Sequence, residues 1–366
     1  MPFVHTTTNF PARLFLTIVL VSALILSCKK TDSIDVPKPC DYLGKGYRLE
    51  SKTGNVVEHE STINQDEKGL LMKASTYVTN ISRDLATNIE YSRSMDEKEI
   101  SFTYDPNGYL KQMKTVKVYQ IKNASGFTYN GKGPFKQMRL ETVETTVFVY
   151  SGGKVTSSQL RSVESFSGDN QSITKTITES KKIYQNDANG MPVTCTEAST
   201  DGSSSVTTYK NGVRVLNSSI MPNGDKVNTY YNALGLLSET NLPLANYNYK
   251  YDDKGNFAMI EMVSNNVTTY TQEFKYDDHP NPESHIPKYF KGIPDPIITV
   301  QSTDGVNNLI ESLYTNLSPS KLVTVYSYAN TYNEAGYPAT TTLTIKQSPD
   351  NEPIITTFKY KDCQRK

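Results

Sequence analysis

The chain has 366 residues, 36% of them hydrophobic, and its 38 basic residues balance its 38 acidic residues. Because no basic excess is available to neutralise phosphates, this composition excludes the usual electrostatic binding of nucleic acids. The 25 Tyr and 12 Phe side chains, with no Trp, also exclude a disordered chain, since so much ring surface favours burial. We therefore predict a folded globular protein with no nucleic-acid partner.

A run of thirteen mostly apolar residues lies near the N-terminus, at positions 14–26. The run is too short to cross a bilayer as a helix, which takes about 20 residues, but it has the length of the apolar region of an export signal. Cys28 follows directly after Ile25-Leu26-Ser27. This arrangement resembles the lipobox of bacterial lipoproteins, in which the cysteine is lipidated and the chain is cleaved in front of it. We predict a signal peptide over residues 1–27 and lipidation at Cys28, with an ordinary secretory signal as the alternative.

The segment after Cys28 is polar and contains two prolines within residues 29–40, as is typical of a tether. We predict that residues 28–44 join the lipid to a single domain over residues 45–363, followed by a tail at 364–366. In lipoproteins of this kind, Lys29 after the lipidated cysteine is compatible with transport to the outer membrane. The resemblance thus implies a membrane partner through the lipid anchor, with the periplasmic or surface side left open.

Three further cysteines occur, and export places them in a compartment where disulfides persist. Cys40 precedes the first predicted strand and Cys363 follows the last, so they are candidates for a disulfide that joins the two ends of the domain. Two free thiols are the alternative, because spacing alone does not fix pairing. No Cys-x-x-Cys motif occurs, so a zinc ribbon or a thioredoxin-like site is not supported.

One unit, Tyr-[Asp/Asn]-x-x-Gly-x-[apolar], recurs along the chain. The Asp or Asn side chain accepts a hydrogen bond from the backbone two residues on, and Gly supplies a positive φ, so each unit predicts a turn between two strands. Apolar residues two and five positions after the glycine predict a β-bulge. The same rule places Cys195 as a buried free thiol. The predicted turn residues are Asp105, Gly108, Asn232, Gly235, Asp252, Gly255, Asn333 and Gly336.

Side chains alternate between apolar and polar before each turn, which is typical of half-buried strands. We therefore predict an all-β fold, an antiparallel meander of a dozen or more strands in hairpin repeats, curled into an open barrel or shell. Helical periodicity is scarce, and we predict two helical turns over Asn307–Tyr314.

The repeats resemble the YD repeats of RHS-type proteins, whose strands wind into a β-shell. The lipobox with Lys29-Lys30, the sequence Tyr-Asp-Asp-His-Pro-Asn-Pro at 276–282, and Asn307-Asn308 resemble uncharacterised outer-membrane lipoproteins of Bacteroidota that have a porin-like curled sheet. The resemblance covers most of residues 45–363. Those families have no assigned activity, so the resemblance implies a fold and a location rather than a reaction.

A weak candidate for a metal site lies at His279 and His285, where Asp277, Asp278 and Glu283 are close in sequence. The two aspartates occupy turn positions of the repeat and prolines surround them, so we expect a rigid loop here and no bound metal. No nucleophile elbow, Walker loop or zinc-protease motif occurs, and we predict no cofactor and no catalytic residue.

The loop from Pro280 to Pro296 is the longest segment outside the repeats, and Tyr289 and Phe290 lie in it. Because binding residues concentrate on loops that a rigid sheet supports, this is the predicted contact site. The predicted function is a non-enzymatic envelope lipoprotein that serves as a binding or interaction module for a glycan or an outer-membrane protein. The alternative is a hydrolase of envelope or dietary polymers that uses carboxylates or the loop with His279 and His285.

Overall fold

The computed structural model describes residues 40–51, 55–83, 90–129, 132–169, 171–286, 289–297, 305–317, 321–347 and 352–361. The predicted signal peptide, Cys28 and Cys363 lie outside these residues. The strands are β1 (Asp41–Glu50), β2 (Asn55–Gln65), β3 (Leu71–Arg83), β4 (Glu90–Tyr104), β5 (Leu110–Tyr129), β6 (Lys132–Ser151), β7 (Lys154–Gly168), β8 (Gln171–Asn186), β9 (Pro192–Ser199), β10 (Ser204–Lys210), β11 (Val213–Ile220), β12 (Lys226–Tyr231), β13 (Leu237–Asn241), β14 (Asn246–Tyr251), β15 (Phe257–Ser264), β16 (Val267–Pro280), β17 (Asn307–Asn316), β18 (Leu322–Tyr332), β19 (Pro338–Ile345) and β20 (Ile354–Lys361).

Each strand pairs antiparallel with the next in chain order, as the meander prediction requires. The last strand, β20, also pairs with β1, where Tyr42 faces Tyr360. The sheet is therefore a closed barrel, and the predicted open barrel or shell is wrong in this respect. In an open sheet, the backbone N–H and C=O groups at the edges of the two terminal strands would be unpaired. Closure gives these groups hydrogen-bond partners. The barrel starts at Asp41, earlier than the predicted boundary at residue 45.

The helix predicted over Asn307–Tyr314 is wrong, because this segment forms β17. It pairs with β16 on one side and β18 on the other. In so short a segment the apolar spacing fits the 3.6-residue period of a helix as well as the two-residue period of a strand. Pairing with the two neighbouring strands therefore decides the conformation. One short 3-10 helix, Pro282–His285, occurs in the described part of the chain. No described helix is long and apolar enough to cross a membrane.

The bulges predicted after the turns are confirmed. Thr103 pairs with Gln112 and Tyr104 with Leu110, which leaves Lys111 as an extra residue in β5. The extra residue turns Leu110 and Met113 toward the same face of the sheet. The corresponding shift in β9 brings Cys195 opposite Tyr184, and Cys195 is a buried free thiol, as predicted.

The core lies on the inner face of the barrel, and the loop between β16 and β17 packs against it. We call residues 281–297 the inner loop. Its Glu283 contacts Lys45 on β1, and its Asp295 contacts Arg214 on β11. Because β11 lies opposite β1 in a ring of twenty strands, a short segment that contacts both runs through the interior. The buried core residues around it are Leu71, Phe102, Leu110, Phe148, Val155, Tyr184, Cys195, Tyr209, Phe290 and Ile293.

Asparagines fix the connection between β16 and β17 where it leaves β16 and where it enters β17. The backbone N–H of Asn281 donates to the carbonyl of Val306 at 2.9 Å, and its side chain donates to the carbonyl of Gly305 at 3.0 Å. Asn307 exchanges hydrogen bonds with the fully buried Asn256, at 3.0 and 3.1 Å. The buried amides of these asparagines thus have hydrogen-bond partners, and the connection leaves and re-enters the sheet at one point.

Candidate functional site

The predicted turn residues share one geometry. The Oδ1 of Asp105 accepts hydrogen bonds from the backbone N–H groups of Asn107 and Tyr109, both at 2.9 Å, and Gly108 has a φ of 81°. These turns connect even-numbered strands to the strands that follow them, so they lie together at one end of the barrel, which we call the turn end. The side chains of Asn232, Asp252 and Asn333 accept the same pair of bonds, and Gly235, Gly255 and Gly336 have φ values of 74°, 88° and 85°.

At several turns the tyrosine before the turn links neighbouring repeats, which the sequence analysis did not anticipate. The hydroxyl of Tyr104 donates to the carbonyl of Leu71 at 2.7 Å. Leu71 stands two residues after Gly69, the glycine of the preceding turn at this end. A hydroxyl that reaches the previous hairpin explains why the repeat has Tyr here rather than Phe. The same bond joins Tyr150 to Leu110, Tyr251 to Leu237 and Tyr360 to Pro338, each at 2.8 Å.

Two of these tyrosines bind the inner loop instead. Tyr209 donates to Asp295 at 2.8 Å and Tyr184 donates to the same carboxylate at 3.3 Å. Burial, and then the charge of Asp295, raise the pKa of both hydroxyls, so they remain protonated donors. Arg214 adds a cation 3.7 Å from Asp295, and its guanidinium lies 4.3 Å above the ring of Tyr231. Residues of three strands, β8, β10 and β11, thus hold one carboxylate of the inner loop.

The opposite wall holds the beginning of the inner loop. Lys45 on β1 forms an ion pair with Glu283 at 2.8 Å, and the hydroxyl of Tyr42 donates to the same carboxylate at 3.3 Å. Burial, followed by the Glu283 charge, raises the pKa of Tyr42. The inner loop is therefore attached to two opposite sides of the barrel by the carboxylates of Glu283 and Asp295, and the sequence analysis did not predict this role for either.

The predicted contact residues lie between these two attachments and have different environments. Phe290 is buried and stacks on Phe102 at 5.4 Å and on Tyr104 at 6.3 Å. Tyr289 is 57% exposed. Lys291 lies 4.4 Å above the ring of Tyr109 and fixes the segment to the turn end. Phe290 therefore anchors the segment, and Tyr289 presents a ring to solvent.

A cleft of about 650 Å³ lies beside Tyr289. Its walls come from two turns, at 66–72 and 102–108, and from residues 289–291 of the inner loop. The volume falls within the range of about 300–1,000 Å³ that is usual for small-ligand sites. We call this space the Tyr289 cleft. It combines an exposed ring with polar turn residues, including Asp66, Lys68 and Asn107.

The residues proposed as a weak metal site have other partners. His279 stacks on Tyr332 with ring centres 3.9 Å apart, and its Nδ1 lies 3.2 Å from the carbonyl of Gly336. Asp277 accepts hydrogen bonds from Tyr332 and from the side chains of Asn308 and Asn330, and so joins β16, β17 and β18.

Asp278 is 91% exposed and pairs with Lys254 at 2.6 Å. Within the described residues, no three His, Cys, Asp or Glu side chains lie close enough together to hold a metal ion. The side chain of His285 is outside that description.

The outer face of the barrel carries paired charges on neighbouring strands, and the pair of Lys275 and Glu311 lies near the middle of β16 and β17. Lys73 on β3 and Glu99 on β4 pair at 2.6 Å, and Lys275 on β16 and Glu311 on β17 pair at 2.7 Å. A membrane-spanning barrel has an apolar band here, and a basic residue at the bilayer midplane costs about 2–4 kcal/mol. Further outward pairs are Arg48–Glu58, Arg139–Glu141, Arg161–Glu179 and Lys359–Glu60.

Comparison with known proteins finds no matching family model and no matching curated protein. Among solved structures, the chain is similar to a porin-like protein from Bacteroides uniformis ATCC 8492, with 8% identity, a TM-score of 0.37, and coverage of 89% of this chain and 99% of that one. It is also similar to a porin-like protein from Bacteroides vulgatus ATCC 8482, with 10% identity, a TM-score of 0.29, and coverage of 88% and 99%.

Proposed function

We propose that this protein is a lipid-anchored, non-enzymatic binding module of the bacterial outer membrane. Diacylglyceryl Cys28 attaches it to the membrane, and the polar segment after it acts as the tether. The paired charges on the outer face support a barrel that stands in water beside the membrane rather than within it. The recurrence of one turn geometry supports the interpretation of the barrel as a set of YD-like hairpin repeats.

The ligand site of this module is the Tyr289 cleft. The observation that carries this assignment is the exposed Tyr289 ring on a loop fixed at both walls, beside a cleft of about 650 Å³. A rigid loop binds with a smaller entropy cost than a mobile one, because its side chains are already in place. The cleft has the volume of a small-ligand site rather than the extent of a flat protein interface, which favours a glycan over a protein partner.

Binding of the full-length protein to a glycan panel tests the proposal. The protein is purified from membranes in a detergent without a sugar head group, which avoids competition. We expect saturable binding that Tyr289→Ala weakens by about fivefold, since a stacked ring contributes on the order of 1 kcal/mol. Tyr77→Ala on the outer face of β3 is the matched control and should leave binding unchanged. Equal binding by the wild type and Tyr289→Ala would contradict the assignment of the cleft.

A further inference from the structure

The inner wall formed by β14–β20 has an unusual composition. Strand register places every Tyr and Phe of these seven strands on the inner face. Their charged side chains lie on the outer face, apart from the irregular end of β16 after Tyr276. The inner aromatic residues are Tyr247, Tyr249, Tyr251, Phe257, Tyr270, Phe274, Tyr276, Tyr314, Tyr326, Tyr328, Tyr332, Phe358 and Tyr360, and the outer charged residues are Lys250, Glu261, Glu273, Lys275, Glu311, Lys359 and Lys361.

Most of these rings are only half-buried, in contrast to the rings under the inner loop. Phe102 and Tyr209, on the opposite wall, are covered by residues 290–297 and are buried. Tyr270 and Tyr314 are partly exposed, with ring centres 4.7 Å apart. Both rings lie on the inner face of the sheet. We call the inward rings of β14–β18 the lumenal track.

A cavity of about 300 Å³ extends this wall across β17–β20 to β1. Tyr47, Tyr328 and Phe358 line it together with Thr356 and with the ion pair of Lys45 and Glu283. Burial raises the pKa of Tyr328, so its hydroxyl remains a donor. The cavity therefore offers ring surface and hydroxyl groups on one wall.

The hydroxyls of Tyr314, Tyr326 and Tyr328 have no hydrogen-bond partner among the described residues. A half-buried hydroxyl is satisfied by water or by a ligand, since leaving one unpaired in an apolar site costs about 1–3 kcal/mol. A purely apolar ligand such as an acyl chain would displace the water and supply no hydrogen bond. The two charged side chains that line the cavity, Lys45 and Glu283, pair with each other at 2.8 Å, so a charged polymer would find no unpaired counter-charge there.

We propose that the lumenal track binds a neutral glycan chain, whose rings pack on the tyrosine faces and whose hydroxyls pair with the tyrosine hydroxyls. This inference rests on the proposed binding function and deepens it, because it names the ligand class and adds a second binding surface. The track runs across adjacent strands, so it fits a linear chain of several sugar units.

Isothermal titration of the full-length protein tests the track with neutral maltohexaose, cellohexaose and mannohexaose, and with anionic oligogalacturonate as the contrasting probe. We expect a neutral hexasaccharide to bind and oligogalacturonate not to bind. Tyr270→Ala and Tyr314→Ala should each weaken binding by about tenfold. Tyr230→Ala, on the outer face of β12, is the matched control and should have no effect.

A second pair of variants covers the case in which the alanine variants fold poorly. Tyr314→Phe with Tyr326→Phe keeps both rings and removes only the hydroxyls, so the barrel should fold while binding weakens. Thr324→Glu places a charge beside Tyr314 and should weaken neutral glycan binding further. Unchanged affinity in the Phe variant and in Thr324→Glu overturns the lumenal track.

The titrations also separate this inference from the Tyr289 cleft. Binding that Tyr289→Ala abolishes and that the Tyr270 and Tyr314 variants leave intact overturns the track and supports the cleft. Binding that the Tyr270 and Tyr314 variants abolish and that Tyr289→Ala leaves intact supports the track and overturns the cleft. Absence of binding to every neutral probe, or preference for oligogalacturonate, overturns the track.

Discussion

The hydroxyl of Tyr209 lies 2.8 Å from both carboxylate oxygens of Asp295, which is 86 residues further along the chain. At other turns the tyrosine before the turn donates to a backbone carbonyl of the previous hairpin, as Tyr104 does to Leu71 and Tyr251 does to Leu237. At Tyr209 the same side chain holds the inner loop. The tyrosine that joins two hairpins at other turns thus binds, at position 209, the segment that carries Tyr289.

Replacing Asp295 should loosen the inner loop. Asp295→Ala leaves the hydroxyls of Tyr184 and Tyr209 buried without their acceptor, and each unpaired group costs about 1–3 kcal/mol. We expect a loss of unfolding free energy in that range or above, measured by urea denaturation, together with weaker binding at the Tyr289 cleft. Asp278→Ala breaks only an ion pair at the exposed surface, so it should leave the unfolding free energy nearly unchanged. Equal stability of the two variants would show that Asp295 does not fix the loop.

The tyrosine hydroxyls that link the repeats should have a measurable effect on stability. Tyr251→Phe keeps the ring and removes the bond to the carbonyl of Leu237, which should cost about 1 kcal/mol of unfolding free energy. Tyr247→Phe, on the same strand and face, removes a hydroxyl that has no partner among the described residues and serves as the control. If both variants unfold at the same urea concentration, the link between repeats does not stabilise the barrel.

The barrel should lose stability in alkali. Burial, and then the charge of Asp66, raise the pKa of Tyr104 from 10.0 to about 12. The unfolded chain releases this proton at lower pH than the folded one, so the contribution of Tyr104 is complete below pH 10 and is lost as pH rises toward 12. Urea denaturation at several pH values checks this, and Tyr104→Phe should reduce the fall in stability across that window. A flat profile between pH 10 and 12 would contradict the assignment.

The lipid anchor is tested at Cys28. Cys28→Ser should abolish incorporation of labelled palmitate and leave the protein unattached to the outer membrane, because the lipid is its proposed attachment. Cys195→Ser, at a buried thiol inside the barrel, is the control and should retain the label. Outer-membrane retention of unlabelled Cys28→Ser protein would argue for insertion of the barrel itself.

The disulfide prediction concerns the closure of the barrel. Cys40 is disulfide-bonded, and its partner lies outside the described residues. Asp41, the residue after Cys40, pairs with Lys361 across the closing strands. Lys361 stands two positions before Cys363 in the sequence. We expect peptide mapping without reduction to recover Cys40 linked to Cys363, and Cys40→Ser to lower the unfolding free energy by about 2–5 kcal/mol. Recovery of both cysteines as free thiols would contradict the pairing.

The sequence by itself determined the local elements of this protein. The Asp or Asn and Gly of each turn, the bulge that follows, and the burial of Cys195 depend on residues a few positions apart, so their spacing is enough to predict them. The all-β meander follows from the repetition of that unit.

Tertiary structure alone decided the rest. The pairing of β1 with β20, the strand at Asn307–Asn316 and the passage of the inner loop across the barrel depend on partners far away in sequence. Tyr209 resembles every other tyrosine of the repeat until Asp295 is placed beside it. Phe290 and Tyr289 are adjacent and similar in sequence, and only the rings of Phe102 and Tyr104 determine that one is buried and the other exposed. Contacts of this kind have no local signature, because closure of the sheet creates them.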